Sequence, residues 1–164
     1  FLYSVAGRYK PGALQRIWEN TRKSGLLSSI GIIAMVGFAL IMEQSGMTNT
    51  IAVGLSRSVE GIYPFFSPFI GVLGSFMTGS NTNSNIVFVG LQKYTAELLN
   101  LPVALILAAQ TTGGSIGGML APARIIVGCS TAGLSGKEGL VLQRVITIGM
   151  VMTVIIGLIT LAFV

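Results

Sequence analysis

Two uncharged runs constrain this chain more than anything else in it. Residues 25–42 read GLLSSIGIIAMVGFALIM and residues 145–164 read VITIGMVMTVIIGLITLAFV, with no ionisable side chain in either. As helices they extend about 27 and 30 Å at 1.5 Å per residue, near the ~30 Å hydrocarbon thickness of a bilayer. A helix apolar on every side either sits inside a large core or spans a membrane. Composition decides between the two. Only 9% of the 164 residues are charged, against about 25% in soluble domains, so the chain lacks the charge to cover a water-facing surface. The expected fold class is an all-α polytopic membrane protein.

The residue inventory excludes several chemistries. There is one cysteine, Cys129, and no histidine. An intrachain disulfide, a zinc site of the Cys/His kind and a His-based triad cannot be built from this chain, and no cofactor is expected. The net charge of +5 is too small and too scattered for nucleic acid and marks cytoplasmic loops instead. The chain opens on Phe1 with no basic n-region and cleavage site. It is expected to be the C-terminal piece of a longer protein whose N-terminal half supplies part of any site.

Residues 1–24 carry Arg8, Lys10, Arg16, Arg22 and Lys23 against Glu19. They read as a cytoplasmic basic loop, or as an interfacial helix after Pro11 and Gly12 with Trp18 at headgroup level. Residues 25–164 form the membrane domain. Its first span covers about 25–42, and residues 48–59 make a weakly amphipathic stretch. Residues 62–99 then run from IYPFFSPFIGVLGSFM into TGSNTNSN and on to IVFVGL before Gln92, Lys93 and Glu97. The second arm is too short in apolar residues to cross, so a re-entrant hairpin is expected. An ordinary polar loop is the alternative, but this one contains no Lys, Arg, Asp, Glu or Pro.

Residues 101–128 read as a broken span. Gly113, Gly114, Gly117 and Gly118 weaken it, and Pro122 suits the first turn of a new half-helix. Unwinding at the glycines is the favoured reading, and close helix packing through small residues serves the same pattern. The last span covers about 145–164. Counted from a cytoplasmic start, this order returns Lys137 and Arg144 to the cytoplasm, as the positive-inside rule requires.

Helices interrupted at mid-membrane expose unpaired N–H groups that attract anions, and two interrupted elements in one bundle surround the substrate in secondary transporters. Candidate substrate-binding residues are Ser80, Asn81, Thr82, Asn83, Ser84 and Asn85 at the hairpin tip, with Asn83, Ser84 and Asn85 as N-cap types where the second arm begins. Thr111, Thr112, Gly113, Gly114 and Ser115 join them from the broken span. Arg124 stands in an apolar run, where it either pairs with a carboxylate or snorkels to the nearby inner loop.

From Gly71 to Arg144 the sequence GSFMTGSNTNSNIVFVGLQ…LAAQTTGGSIGGMLAPARIIVGCSTAGLSGKEG resembles the C-terminal part of the bacterial lactate permease family. The first 60 residues resemble it only in hydropathy. That family belongs to the ion-transporter superfamily, whose dicarboxylate members carry Ser-Asn-Thr at each re-entrant tip, as Ser80-Asn81-Thr82 does here. The resemblance implies one half of an inverted-repeat secondary transporter in the bacterial cytoplasmic (inner) membrane. It further implies proton-coupled symport of lactate, glycolate or a similar 2-hydroxy monocarboxylate. No acid lies mid-span, so sodium coupling stays open, as does a homodimer. A dicarboxylate or arsenite carrier of the same superfamily, and an ion channel, are the alternatives. An enzyme is not expected, given the absent histidine and unpaired acids.

Overall fold

The computed structural model describes residues 12–164; Arg8, Lys10 and Pro11 of the basic segment lie outside the described residues. The chain divides into two compact units, Phe1–Met35 and Val36–Val164. Among the described residues every regular element is helical: α1 Ala13–Gln44, α2 Met47–Val59, a 3-10 turn Glu60–Ile62, α3 Tyr63–Thr78, α4 Asn81–Leu98, α5 Val103–Leu120, α6 Pro122–Thr131 and α7 Glu138–Ala162.

In the first unit, residues 13–24 and the start of the uncharged run lie in one continuous helix. Arg16, Trp18, Glu19, Arg22 and Lys23 are exposed on it.

In the second unit α3 is central. It packs against α5, α4 and α7; α5 packs against α4 and α7, and α2 against α4. Three segments are long and apolar enough to cross a membrane: Met47–Thr78, Val103–Leu120 and Glu138–Ala162. One apolar cluster joins Tyr63, Ala96 and Ile106. A second joins Val72, Ile116 and Leu120, with Val145 and Ile156 of α7 packed on it.

The glycines of α5 explain why α3 and α5 lie so close. A Cβ on Gly113 would collide with the carbonyl of Pro68, one on Gly117 with that of Val72, and one on Gly71 with that of Gln110. The two backbones touch, which only glycine permits. This corrects the expectation of unwinding at Gly113–Gly118: α5 stays helical to Leu120. The chain breaks instead at Ala121, where ψ is 127°, and restarts at Pro122. Proline has no N–H to donate and clashes with the preceding turn, so the break belongs there.

Candidate functional site

The hairpin tip follows from three residues. Gly79 takes a left-handed φ of 69° and donates its N–H to Ser75 O at 2.8 Å, closing α3. Thr78 Oγ1 donates within the turn to Gly74 O at 2.8 Å. Ser80 is extended, and its Oγ accepts from Asn83 N at 3.3 Å as the N-cap of α4. The helix therefore restarts at Asn81, earlier than an N-cap at Asn83, Ser84 or Asn85 would have it. A left-handed glycine closes α3 within one residue, so the nearest hydroxyl caps α4. Among the described residues the N–H groups of Asn81 and Thr82 have no partner.

The tip and the second break adjoin. A Cβ on Gly79 would sit 4.0 Å from the Cβ of Ala121. A cavity of about 370 Å³ opens between them, bounded by Phe76, Thr78, Gly79, Ala121 and Pro122. Arg124, exposed on α6, lays its guanidinium over Gly118, with Nη1 3.5 Å from where a Cβ would be. Arg124 thus reaches back along α5 toward the break.

Four of the candidate residues come together across α4 and α5. Asn81 Nδ2 donates to Thr111 O at 3.1 Å and to Ser115 Oγ at 3.0 Å, and Asn85 Nδ2 donates to Thr111 Oγ1 at 3.3 Å. A carbonyl can only accept, so the Thr111 contact fixes the Asn81 amide with its oxygen turned away. That oxygen lies against Gly114, near Ser75 Oγ. Ser75 Oγ, Asn81 Oδ1 and Asn85 Oδ1 are buried with no hydrogen-bond partner among the described residues. Such groups attract a ligand that donates, or a cation.

The other candidates divide. Thr82 is exposed at the tip and Thr112 is exposed on α5, its hydroxyl donating to its own helix at Ala108 O at 2.8 Å. Ser115 donates to Thr111 O at 3.1 Å. Asn83 contributes its backbone N–H to the cap. Gly113 and Gly114 are contact surfaces for Pro68 and Asn81. Ser84 is fully buried and bonded inside the bundle, donating to Gly71 O at 3.1 Å, so it holds the hairpin rather than facing the tip.

Ser84 ends a buried polar chain that sequence reasoning missed. Tyr63 donates its hydroxyl to Gln92 Oε1 at 2.6 Å. Gln92 Nε2 donates to Ser67 O at 2.9 Å and to Gln110 Oε1 at 2.8 Å. Gln110 Nε2 donates to Ser84 Oγ at 3.3 Å. All four side chains are fully buried. The Ser67 carbonyl fixes Gln92, which fixes Gln110, so every link points one way. The chain ties α3, α4 and α5 into one piece behind the tip. Among the described residues no group of three His, Cys, Asp or Glu side chains could hold a metal. Cys129 is buried.

Comparison with known proteins follows the same stretch. The family model described as L-lactate permease matches residues 3–164. The L-lactate permease of Salmonella typhimurium is 36% identical over 153 residues, covering 93% of this chain and 28% of the relative. The glycolate permease GlcA of Escherichia coli is 40% identical over 133 residues, covering 81% of this chain and 23% of the relative. The L-lactate permease of Bacillus subtilis is 39% identical over 123 residues, covering 74% of this chain and 22% of the relative. The chain thus spans about a quarter of the length of the curated relatives it matches. No solved structure matches it.

Proposed function

This chain belongs to the L-lactate permease family, and we propose that it supplies the substrate-binding core of a secondary transporter in the bacterial cytoplasmic membrane. The substrate is lactate, glycolate or a related 2-hydroxy monocarboxylate, the class named in its relatives. One observation carries the reading. Thr111, Thr112 and Ser115 are exposed midway along Val103–Leu120, a helix apolar enough to span, and Asn81 and Asn85 bond to that face from α4. The Thr112 and Ser115 hydroxyls bond within their own helix. Lipid offers no partner to the Thr111 proton or the amides beside it, so the face is read as lining a water-filled cavity or meeting the rest of the transporter.

Two helix breaks adjoin there, as in carriers whose discontinuous helices meet around a substrate. The α3–α4 hairpin is read as re-entrant, because α4 carries Lys93 and Glu97 and is not among the span-capable segments. The substrate carboxylate sits at the start of α4, on the free N–H groups of Asn81 and Thr82. Thr111 Oγ1, which accepts from Asn85, keeps its own proton to donate. The remainder of the transporter supplies the second, inverted half of the site.

Proton coupling is the leading reading for the driving ion. Glu43, Glu60 and Glu97 are exposed, Glu138 is half-buried at the head of α7, and histidine is absent, so the proton carrier lies outside these helices. Sodium coupling is a second reading, favoured by the three unpartnered oxygens of Ser75, Asn81 and Asn85, which suit a monovalent cation. Uptake of labelled L-lactate by the full-length protein in proteoliposomes tests both, with pH and sodium gradients imposed separately. Accumulation driven by the pH gradient alone is expected. Accumulation driven only by sodium transfers the coupling to the second reading, and no accumulation under either gradient overturns the function.

A further inference from the structure

The stretch GLSGKEG, residues 133–139, is a motif that the transport site does not absorb. It is a built loop. Gly133 and Gly136 stand at φ 70° and 87°, left-handed values that favour glycine, and they fold the loop onto itself. Leu134 N donates to Cys129 O at 2.8 Å, and Lys137 N donates to Leu134 O at 3.0 Å. The Glu138 carboxylate accepts from Gly136 N at 2.9 Å, which turns the loop's acid back into the loop.

This folding sets Leu134 and Lys137 beside the first turns of α7. There they share a groove of about 750 Å³ with Leu140, Val141, Arg144 and Ile148. Positions 140, 144 and 148 recur every four residues, so one face of α7 lines it. Lys137 and Arg144 are exposed, and neither forms a salt bridge among the described residues. Arg144 is the last charge before the uncharged run 145–164, in a helix long enough to span. Arg144 thus marks the edge of the uncharged run, with Lys137 two turns outside it and Val145 and Ile148 just inside it.

The geometry points to a binding site for an anionic phospholipid. Its phosphate rests on Lys137 and Arg144, and an acyl chain lies along Val145 and Ile148, the lining residues inside the uncharged run. The partial positive charge at the start of α7 adds to the two cations. Free phosphate gains nothing from the apolar walls, and a zwitterionic lipid gains little from the cations. A phosphodiester attached to a hydrocarbon chain uses both.

Native mass spectrometry of the full-length transporter in detergent tests this site. The probes are dioleoylphosphatidylglycerol, dioleoylphosphatidylcholine and inorganic phosphate. The parent is expected to retain phosphatidylglycerol well above phosphatidylcholine. Lys137→Gln and Arg144→Gln should each lower that retention about fivefold, and the double variant should bring it to the phosphatidylcholine level. Both side chains are exposed, so these variants keep the fold. Ile148→Asn should weaken phosphatidylglycerol retention while both cations remain. Parental retention in the double variant would overturn the site, as would equal retention of the two lipids. Displacement of the lipid by excess inorganic phosphate would also overturn it, by showing a free-anion site.

Discussion

Asn81 is held by what it donates. Its amide nitrogen reaches Thr111 O and Ser115 Oγ, and an aspartate in its place has nothing to donate and sets a carboxylate oxygen against a carbonyl. It also adds an anion beside the proposed carboxylate site. Asn81→Asp is expected to lower lactate uptake about tenfold or more at equal surface expression, since each buried group left unpaired costs about 1–3 kcal/mol. Parental uptake would contradict the placement of the substrate at this tip. Gln92 tests the scaffold behind it. Gln92→Leu keeps the bulk but strands the Tyr63 hydroxyl, the Ser67 carbonyl and the Gln110 amide oxygen. Thermal unfolding in detergent should shift down by about 1–3 kcal/mol for each stranded group; an unchanged midpoint would show that the chain of amides is not a tie. Nothing near Gln92 in the sequence signals this role. A glutamine after IVFVGL and before Lys93 reads as the end of an apolar run. Its partners lie 18 to 29 residues away on two other helices, and only the fold brings them in.

At the scale of elements, the hairpin was legible because its parts are local. Gly79, Ser80 and the polar run after them are turn and cap chemistry within a few residues, although the exact cap is Ser80. The α5 glycines were not legible in the same way. Small residues serve unwinding and close packing alike, and the deciding fact is a partner helix whose carbonyls lie against them. Gly113→Leu therefore separates two helices rather than stiffening a loop. It should lower thermal stability by about 1–3 kcal/mol or more and abolish uptake, while membrane insertion persists because leucine favours it. Parental stability in that variant would contradict the contact with Pro68 O. The break lies at Ala121 rather than at the glycines, and Pro122 opens the new half-helix as its residue type implies.

For the whole molecule, the membrane class rests on charge poverty and run length. Among the described residues three segments are span-capable, and of the two uncharged runs only the second lies largely within one of them, Glu138–Ala162. Orientation rests on Lys137 and Arg144. A cysteine at position 137 should react with an impermeant thiol reagent only from the cytoplasmic side, with Cys129 replaced; free labelling from outside would reverse the topology. In the proposed function lactate sits against the polar face shared by the start of α4 and the middle of α5. Thr82 and Thr112 report on it directly, because both are exposed and the Thr112 hydroxyl bonds only within its own helix, so cysteine there leaves the bundle intact. The decisive measurement is the rate at which Thr82→Cys and Thr112→Cys are labelled in the full-length transporter, with and without saturating L-lactate. Lactate should slow labelling severalfold at both positions and leave a cysteine at exposed Ser135, in the loop before α7, unaffected. Equal rates with and without lactate at positions 82 and 112 would place the substrate elsewhere.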